Sequence, residues 1–423
     1  MAFLRSLSAG VTGLRNHTTM MDVIGNNVAN INTVGFKSSR ITFGELFSQT
    51  LRGATQSTAT SGGTNPVQVG LGASVTAVDT IFKQGVIEAT GNDSDLAIEG
   101  SGLFIVKRGG KTLYTRAGAF ERDSVGFLVM KGNGAIVQGK LADSQGVIVP
   151  GAALADIKID LGRKSAPKAT TSVKMAGNLD ASSATYVPAS AGPPPVAESG
   201  GKSNATMSVF DSLGNKHAVT VSFTKNATAN RWDYAVTNAS GTSLGTGNVT
   251  FNSDGSIATG SPAAVPAITL TNGASNLNIA LDFANLTQTQ GTSSITPREI
   301  NGYGAGEMSS WSIDQNGFIT ASFTNGQLQK LGQIMLAETN NPSGLLRMGD
   351  GMFELSPNSG TEAIVAPGAE SRSRILPGSL EQSNVDLPEE FTKMIIAQRG
   401  FQANSRIITA SDEILNEVVN LKR

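Results

Sequence analysis

Two segments of the sequence match the end of a phosphate-binding loop, in which backbone amides and a lysine hold a nucleotide. They are Gly110-Lys111-Thr112 and Gly201-Lys202-Ser203. The complete motif also needs a glycine five residues before the second glycine. Ile105 and Val196 occupy those positions, so both matches fail. A turn is the better interpretation of each segment.

A third segment, Gly241-Thr242-Ser243-Leu244-Gly245, matches the pattern around a nucleophilic serine. That chemistry needs a strand-to-helix turn at the serine and a histidine later in the chain. The two histidines are His17 and His217, and both precede Ser243. The match is therefore interpreted as chance in a region rich in Gly, Ser and Thr.

Metal chemistry has little support in the sequence. Two histidines and no cysteine leave few ligands for zinc or another transition metal. Asp314-Gln315-Asn316-Gly317 partly matches a calcium loop but lacks its length and terminal glutamate, so a hairpin turn is favoured. We predict no catalytic residues, no cofactor and no metal site, and hence a protein that is not an enzyme.

Composition excludes several further classes. The 33 acidic and 32 basic residues balance, and no Lys/Arg run indicates nucleic acid or an anionic membrane. No apolar run approaches the ~20 residues that span a membrane. Arg5 and Arg15 interrupt the apolar residues at the N-terminus, so no cleaved signal peptide is predicted. The absence of cysteine is consistent with a protein that functions outside the cell and does not need oxidative folding, and a cysteine-poor cytoplasmic protein is the alternative.

The N-terminal segment has a helical period. Apolar residues recur at alternating spacings of three and four, which places them on one face of a helix. Gly10 and Gly13 lower the helix propensity, so we expect this helix to need a partner. The predicted stripe contains Leu4, Leu7, Val11, Leu14 and Met21.

The C-terminal segment repeats this period more strongly from Leu387 onwards. Asp386 can cap the helix, and Pro388 falls in the first turn, where its missing donor is harmless. Gln398, Ser405 and Asp412 interrupt the apolar positions. The predicted stripe contains Phe391, Met394, Phe401, Ile408, Leu415 and Val419.

The simplest solution for two terminal helices with apolar stripes is to pair as a coiled coil. Each stripe is wider than a two-stranded seam needs, which leaves apolar surface for neighbouring molecules. Two alternatives are a helical hairpin packed on the protein's own body and a pair of membrane-surface helices. The few basic residues disfavour the second alternative.

The middle of the chain reads as short strands separated by turns. Asn316-Gly317 and Asn325-Gly326 are strong signals for tight hairpins. We predict a mixed fold, with terminal α-helices forming a coiled coil and nested all-β domains of barrel or sandwich type. The predicted parts are a helical domain (1–30 and 387–423), linkers (31–75 and 366–386), an inner β domain (76–140 and 296–365) and an inserted outer β domain (141–295).

The segment from Gly25 to Lys37 resembles the N-terminal signature of bacterial flagellar rod and hook axial proteins. Its signature residues are Asn26, Asn27, Asn30, Thr33, Gly35 and Phe36. The segments Gly378–Glu381 and Gln398–Ser405 are similar to the other end of that family. Leu96–Phe104 and Tyr114–Phe120 resemble its inner β domain.

Two segments favour the hook over the rod within this family. They are Phe391–Ile395, followed by Gln398–Phe401, and Phe210–Asn215 inside the inserted block. The resemblance implies a structural subunit that polymerises with itself into a curved, flexible tube and transmits torque as a universal joint. The terminal helices would line the inner tube, and the inserted block would form the outermost layer.

The same resemblance implies the surroundings of the protein. Its partners would be the hook cap protein, the distal rod protein and the hook–filament junction protein, with no nucleic acid and no membrane insertion. It would lie in the extracellular hook attached to the basal body, after export by flagellar type III secretion without cleavage. The alternatives are a straight distal rod protein of this family and a monomeric β-rich adhesin.

Overall fold

A computed structural model describes residues 2–57, 62–190, 194–259, 263–264, 273–368 and 371–420. Two long helices, α1 (Ala2–Ala29) and α2 (Leu387–Asn420), flank a β-rich body that also holds a short 3-10 helix, Pro342–Gly344. The predicted fold class of terminal helices with an all-β body is confirmed. The coiled-coil geometry of the helices stays a prediction.

The chain divides into two compact units. Unit 1 comprises Met1–Asp160, Trp311–Thr320 and Gln329–Arg423, and unit 2 comprises Leu161–Ser310 and Ala321–Leu328. The finer division into helical domain, linkers and two β domains stays a prediction. Part of the segment predicted as linker, residues 31–75, forms paired strands.

In its described residues, the first segment of unit 1, Met1–Asp160, contains twelve short strands, and many of them pair with strands close by in the chain. They are β1 Ser39–Glu45, β2 Ser48–Arg52, β3 Val67–Gly70, β4 Ala73–Thr80, β5 Ile87–Ala89, β6 Leu96–Glu99, β7 Leu103–Arg108, β8 Lys111–Thr115, β9 Phe120–Arg122, β10 Leu128–Met130, β11 Ile136–Leu141 and β12 Ala155–Asp156.

Unit 2 supplies the next strands, and the division between the units falls inside β23, β24 and β25. These strands are β13 Lys164–Ser165, β14 Ser172–Asp180, β15 Lys202–Phe210, β16 Lys216–Lys225, β17 Arg231–Asn238, β18 Ser243–Phe251, β19 Ile257–Thr259, β20 Ala263–Ala264, β21 Ala280–Thr289, β22 Ser294–Ile300, β23 Gly306–Ile313, β24 Phe318–Phe323 and β25 Leu328–Ile334.

The last strands return to unit 1 and join the two ends of the chain. They are β26 Leu336–Glu338, β27 Leu346–Gly349, β28 Met352–Glu354, β29 Ala363–Val365, β30 Arg374–Pro377 and β31 Ser379–Glu381. β30 pairs with β6, and β31 pairs with β5, both antiparallel. This pairing brings the segment before α2 beside strands from the N-terminal third of the chain.

In the main sheet of unit 1, several neighbouring strands come from distant parts of the chain, and the pairs described here are antiparallel. β7 lies between β8 and β11 in this sheet, and β8 also pairs with β28. Leu103, Ile105, Tyr114, Met335 and Phe353 fill a core beneath it. Burial of these large side chains supplies most of the driving force for folding the unit.

Unit 2 is a two-sheet sandwich. One sheet has the order β20-β21-β14-β22, and the other has the order β15-β16-β17-β18-β19. Alternate residues of both sheets point into one core, which contains Trp232, Phe223 and Phe283. Phe223 and Phe283 pack edge to face with ring centroids 5.5 Å apart, a preferred aromatic geometry.

The two hairpin turns predicted from Asn-Gly pairs are confirmed. Gly317 has φ of 75° between β23 and β24, and Gly326 has φ of 77° between β24 and β25. Asp314 Oδ1 accepts hydrogen bonds from the backbone N–H groups of Asn316 and Phe318. The segment weighed as a partial calcium loop therefore forms a hairpin turn stabilised by its own aspartate.

Candidate assembly site at the terminal helices

The helices α1 and α2 pack against each other through small residues. A Cβ atom on Gly13 would lie 2.6 Å from Asn404 Oδ1, and one on Gly400 would lie 2.4 Å from the His17 ring. Real Cβ atoms do not approach other atoms that closely, so a larger residue at either position would require the Asn404 or His17 side chain to move. A Cβ atom on Gly10 would lie 3.3 Å from Ile408 Cγ1, so the close approach of the helices extends to this position.

Asn27 connects the end of α1 to two other elements. Its amide nitrogen donates to the Ser39 carbonyl at 2.8 Å and to Glu390 Oε2 at 3.1 Å. Its amide oxygen accepts from the Ser39 N–H at 2.9 Å. The side chain is only 1% exposed, so these bonds are shielded from water and fix α1 to β1 and to α2.

The start of α2 follows the sequence prediction. Asp386 Oδ1 accepts a hydrogen bond from the Glu389 N–H at 3.2 Å, as expected of an N-cap. Glu389 and Glu390 in the first turn both contact Lys393 Nζ at 2.9 Å. Acidic side chains also complement the positive end of the helix dipole there.

Large apolar side chains on α2 remain exposed in the single chain. Exposed apolar surface of this extent on one element is typical of a binding surface. Phe391 is 50% exposed and Phe401 is 37% exposed. The complete exposed set on the described part of α2 is Phe391, Ile395, Ile396, Phe401, Ile407, Ile414 and Leu415.

The residues predicted to carry assembly are distributed unevenly over these surfaces. Leu7, Leu14, Met21, Met394 and Ile408 are half-buried, whereas Val11, Phe391, Phe401 and Leu415 are exposed. The side chains of Leu4 and Val419 lie outside the described part of the structure. Their shared role in assembly stays a prediction.

The signature turn after α1 depends on Gly35. This residue has φ of +68°, and its N–H donates to the Glu381 carbonyl at 2.8 Å. A Cβ here would lie 2.6 Å from the Ala117 backbone nitrogen. Glycine is required here for two reasons: the backbone is left-handed, and it lies close to the backbone of Arg116 and Ala117, which follow β8.

The other signature residues form hydrogen bonds within the turn or pack beside it. Asn30 Oδ1 accepts from Thr33 Oγ1 at 3.1 Å, and Asn30 Nδ2 donates to the Asn26 carbonyl at 2.9 Å. The guanidinium carbon of Arg347 lies over the Phe36 ring, 5.2 Å from the ring centroid. The asparagines therefore hold the helix end through side-chain hydrogen bonds to the local backbone.

Three charged side chains meet directly beneath this turn. Lys37 Nζ lies 2.7 Å from Glu381 Oε1, and Arg116 Nε lies 2.5 Å from Glu381 Oε2. Their side chains are 1%, 3% and 0% exposed for Lys37, Arg116 and Glu381. We call this group the buried ion cluster.

Backbone groups form the further hydrogen bonds of the charged side chains in the buried ion cluster. Lys37 Nζ donates to the Lys83 carbonyl at 2.9 Å, and the Gly85 N–H donates to Glu381 Oε1 at 2.7 Å. The Arg116 guanidinium donates to three further carbonyls, including that of Ile98 at 2.8 Å. Buried charges are tolerated only when they are paired and hydrogen-bonded in this way.

The electrostatics of the cluster favour the charged form of Glu381. Burial alone raises the pKa of this carboxyl, but the charges and hydrogen bonds of Arg116 and Lys37 outweigh it and lower the pKa overall. The pKa of Lys37 is lowered because burial and the Arg116 charge outweigh the attraction of Glu381. Glu381 is thus the shared anion on which two buried cations depend.

The sequence prediction missed the buried ion cluster. Lys37, Arg116 and Glu381 lie in three different segments that carried the family resemblance, Gly25–Lys37, Tyr114–Phe120 and Gly378–Glu381. A charged residue inside each segment was the available signal. Nothing in the one-dimensional pattern indicated that these charges meet.

The motifs considered for enzyme chemistry lie in β-structure. Lys111 begins β8 after a turn, Lys202 begins β15, and Ser243 begins β18, with no helix directly following. Within the described residues, no three His, Asp or Glu side chains are grouped to hold a metal ion. In the same part of the chain, no helix is long and apolar enough to cross a membrane.

Four family models match successive segments of the chain. The descriptions are "Flagella basal body rod protein" for residues 7–37 and "Flagellar hook protein FlgE/F/G D1 domain" for residues 97–178. "Flagellar basal body protein FlaE D2 domain" covers residues 178–303, and "Flagellar basal body rod FlgEFG protein C-terminal" covers residues 376–421. Arg116, Lys37 and Glu381 each fall inside a matched segment.

Full-length relatives carry the same names. The chain is 39% identical to the flagellar hook protein FlgE of Borreliella burgdorferi and 36% identical to that of Treponema pallidum. Each match covers 99% of this chain and 100% of the relative. The flagellar basal-body rod protein FlgG of Bacillus subtilis is also similar, at 31% identity over 99% of this chain and 100% of the relative.

One solved structure supports the fold. The crystal structure of the Helicobacter pylori flagellar hook protein FlgE2 matches with a TM-score of 0.51 at 14% sequence identity. The match covers 70% of this chain and 100% of that chain. At this identity the likeness concerns the fold alone.

Proposed function

The chain belongs to the flagellar hook protein family and is a structural subunit of the hook, and we propose that its polymer is a curved, flexible tube acting as a universal joint. In that role the tube transmits motor torque to the filament. The observation that carries the proposal is the exposed apolar surface of α2, which a single chain leaves uncovered.

The exposed surface of α2 is suited to permanent association between subunits. Burial of apolar side chains contributes roughly 25 cal/mol per Å² of surface removed from water. Phe391, Phe401 and Leu415 lie in the stripe predicted to carry assembly and are exposed in the single chain. We infer that neighbouring copies cover this stripe and that the paired helices form the inner wall of the tube.

A bent tube that rotates must let each row of subunits shorten and lengthen once per turn. Contacts that slide should be polar, because water can replace a lost hydrogen bond at small cost. The strands of the unit 2 sandwich direct alternate apolar side chains into the internal core and carry hydroxyl groups such as those of Thr206 and Thr220. We propose that unit 2 supplies these sliding contacts.

The buried ion cluster gives the terminal helices a firm attachment to the strands of unit 1. Lys37 follows the signature turn after α1, and Glu381 precedes α2 by a few residues. Arg116 follows β8 in the body of the unit. A load applied to the helices would therefore pass to the β strands through this hydrogen-bonded junction.

The polymer is proposed to contact the hook cap protein, the distal rod protein and the hook–filament junction protein. Export by flagellar type III secretion, without cleavage of the N-terminus, completes the proposal. A rod protein of Bacillus subtilis is also similar to the chain, and a distal rod would form a straight polymer. The curvature of the polymer distinguishes the two.

Substitution of Phe401 tests whether the exposed stripe on α2 carries assembly. If a neighbouring copy buries this ring in a packed site, Phe401→Ala costs about 3–5 kcal/mol at each such contact. We expect hooks to be absent from cells while the secreted monomer melts as the wild type does. Leu213→Ala, which removes an exposed apolar side chain from unit 2, is the matched control and should leave assembly intact. Normal hooks with Phe401→Ala would refute the assignment.

A further inference from the structure

A cavity of about 450 Å³ lies between the signature turn and the β27–β28 hairpin of unit 1. Asn26, Asn30 and Phe36 line one side of it. Arg347, Met352 and Phe353 line the other side. Its walls thus combine amide groups and apolar side chains with the charged residues Lys37, Arg347 and Asp350.

Arg347 is the distinctive group in this cavity. Its guanidinium donates a hydrogen bond to the Lys37 carbonyl and lies over the Phe36 ring. Among the described residues, no carboxylate lies within 4.0 Å of it. Burial, with no opposing charge, lowers the pKa of Arg347. Arg347 as a whole residue is exposed to solvent, neutral groups hold its guanidinium in place, and no described residue pairs an anion with it.

The acidic residue in the wall of this cavity, Asp350, forms an ion pair with another residue. Asp350 Oδ2 lies 2.9 Å from Arg108 Nη1. Asp350 also has φ of 52°, a left-handed conformation that is uncommon outside glycine. Asp350 is therefore held by Arg108 and leaves the guanidinium of Arg347 for a group from outside the single chain.

The same chain offers anions that lack a cation. Asp412, Glu413 and Glu417 are exposed on α2, and within the described residues none of them forms a salt bridge. In the sequence they lie on either side of Ile414 and Leu415, whose apolar side chains are exposed. Carboxylates beside apolar side chains on a helix complement a cavity that places an arginine beside Phe36, Met352 and Phe353.

We propose that the Arg347 cavity binds a carboxylate from the acidic C-terminal part of α2 in a second copy of this chain. The proposal rests on the proposed polymerisation. The guanidinium can donate two parallel N–H hydrogen bonds to the two oxygens of a carboxylate, a charge-assisted contact stronger than one between neutral groups. Such a contact specifies which subunits meet and how they are aligned, because an unpaired charge would remain in any other register.

A charge reversal with its compensating partner tests the contact. Arg347→Glu is made in cells whose only hook protein is this chain, alone and combined with a lysine at Asp412, Glu413 or Glu417. We expect the single change to reduce the number of hooks at least about 10-fold, the effect of losing roughly 1.4 kcal/mol per contact. One of the three double variants should restore them. Arg40→Ala, which breaks the exposed ion pair with Asp79 outside this cavity, is the control and should still assemble.

The secreted monomers are compared by thermal unfolding. An unchanged melting temperature for Arg347→Glu, together with lost hooks and rescue by a lysine on α2, supports the contact between copies. Hooks formed normally by Arg347→Glu would overturn it. A lowered melting temperature that accounts for the loss would also overturn it, because Arg347 would then serve only the Lys37 carbonyl within one chain. Failure of all three double variants would overturn the choice of α2. Wild-type cells without hooks would instead contradict the proposed function itself.

Discussion

Lys37 and Glu381 lie 344 residues apart in the sequence, yet their charged groups are 2.7 Å apart in a site that water does not reach. Lys37 closes the signature segment after the first helix, and Glu381 closes the last strand before the second. With Arg116 on the opposite side of the carboxylate, the pair joins both ends of the chain to the β strands of unit 1.

The first prediction concerns the loss of the shared anion. Glu381→Gln leaves Lys37 and Arg116 buried without a counter-charge, and breaking a buried pair in this way costs about 3–5 kcal/mol. Urea denaturation of the monomer, followed by a probe in unit 1, measures the loss. Glu299→Gln removes an exposed pair with Lys174 and should leave the free energy of unfolding nearly unchanged. Equal effects of the two substitutions would contradict the role of the cluster.

The second prediction is a dependence of stability on pH. The folded-state pKa of Glu381 is lowered below its ordinary value of 4.5, so the folded chain binds fewer protons than the unfolded chain in that range. The stabilisation is fully present above the ordinary pKa and is lost as the pH falls through the lowered one. Denaturation curves between about pH 6 and about pH 3 should show this loss in the wild type. Glu381→Gln should lack that component, and parallel profiles for the two proteins would contradict the prediction.

The third prediction tests the close packing of the two helices. Gly400→Ala forces a methyl group against the His17 ring, and overpacking of this kind costs about 1–3 kcal/mol. Gly25→Ala is the matched control within a helix, since a Cβ there meets no described atom within 4 Å. Because alanine is the better helix former, the control should gain up to about 1 kcal/mol. Thermal unfolding of both variants checks the opposite signs, and a stabilising Gly400→Ala would show that the seam is loose.

The fourth prediction separates two reasons for Gly35. Gly35 and Gly378 both have φ of +68°, but only Gly35 has a neighbouring backbone within 4 Å of its added Cβ. Gly378→Ala should cost about 1–2 kcal/mol for the left-handed conformation alone. Gly35→Ala should cost clearly more, because the Ala117 backbone must also move. Equal melting temperatures for the two variants would remove the close approach as a cause.

Much of the fold could be predicted from local patterns. The apolar period and Asp386 predicted where α2 begins, and Asn-Gly pairs predicted the turns around β24. The face by which α2 contacts α1 could not be predicted in the same way. Its buried positions include Ala397 and Ser411, with the half-buried Asn404 between them at the same spacing of seven. Hydrophobicity selects the exposed stripe instead, because small and polar residues give no apolar signal.

The buried ion cluster shows a second limit of sequence patterns. Lysine, arginine and glutamate are expected at the surface, and their burial depends on partners that the chain supplies from distant segments. Lys37, Arg116 and Glu381 meet only after β31 pairs with β5 and the signature turn closes over β8. Contacts between copies in the polymer are a third limit, because a pattern within one chain does not specify which surfaces of two copies meet.

Electron microscopy of the polymer formed by the full chain tests the central claim most directly. The account predicts curved tubes, located between the cell surface and the filament, in cells that carry this chain as their only hook protein. Straight, rigid rods in the same cells would instead assign the chain to the distal rod. A secreted chain that stays monomeric at high concentration, with no tubes even when the cap protein is present, would contradict the polymer account altogether.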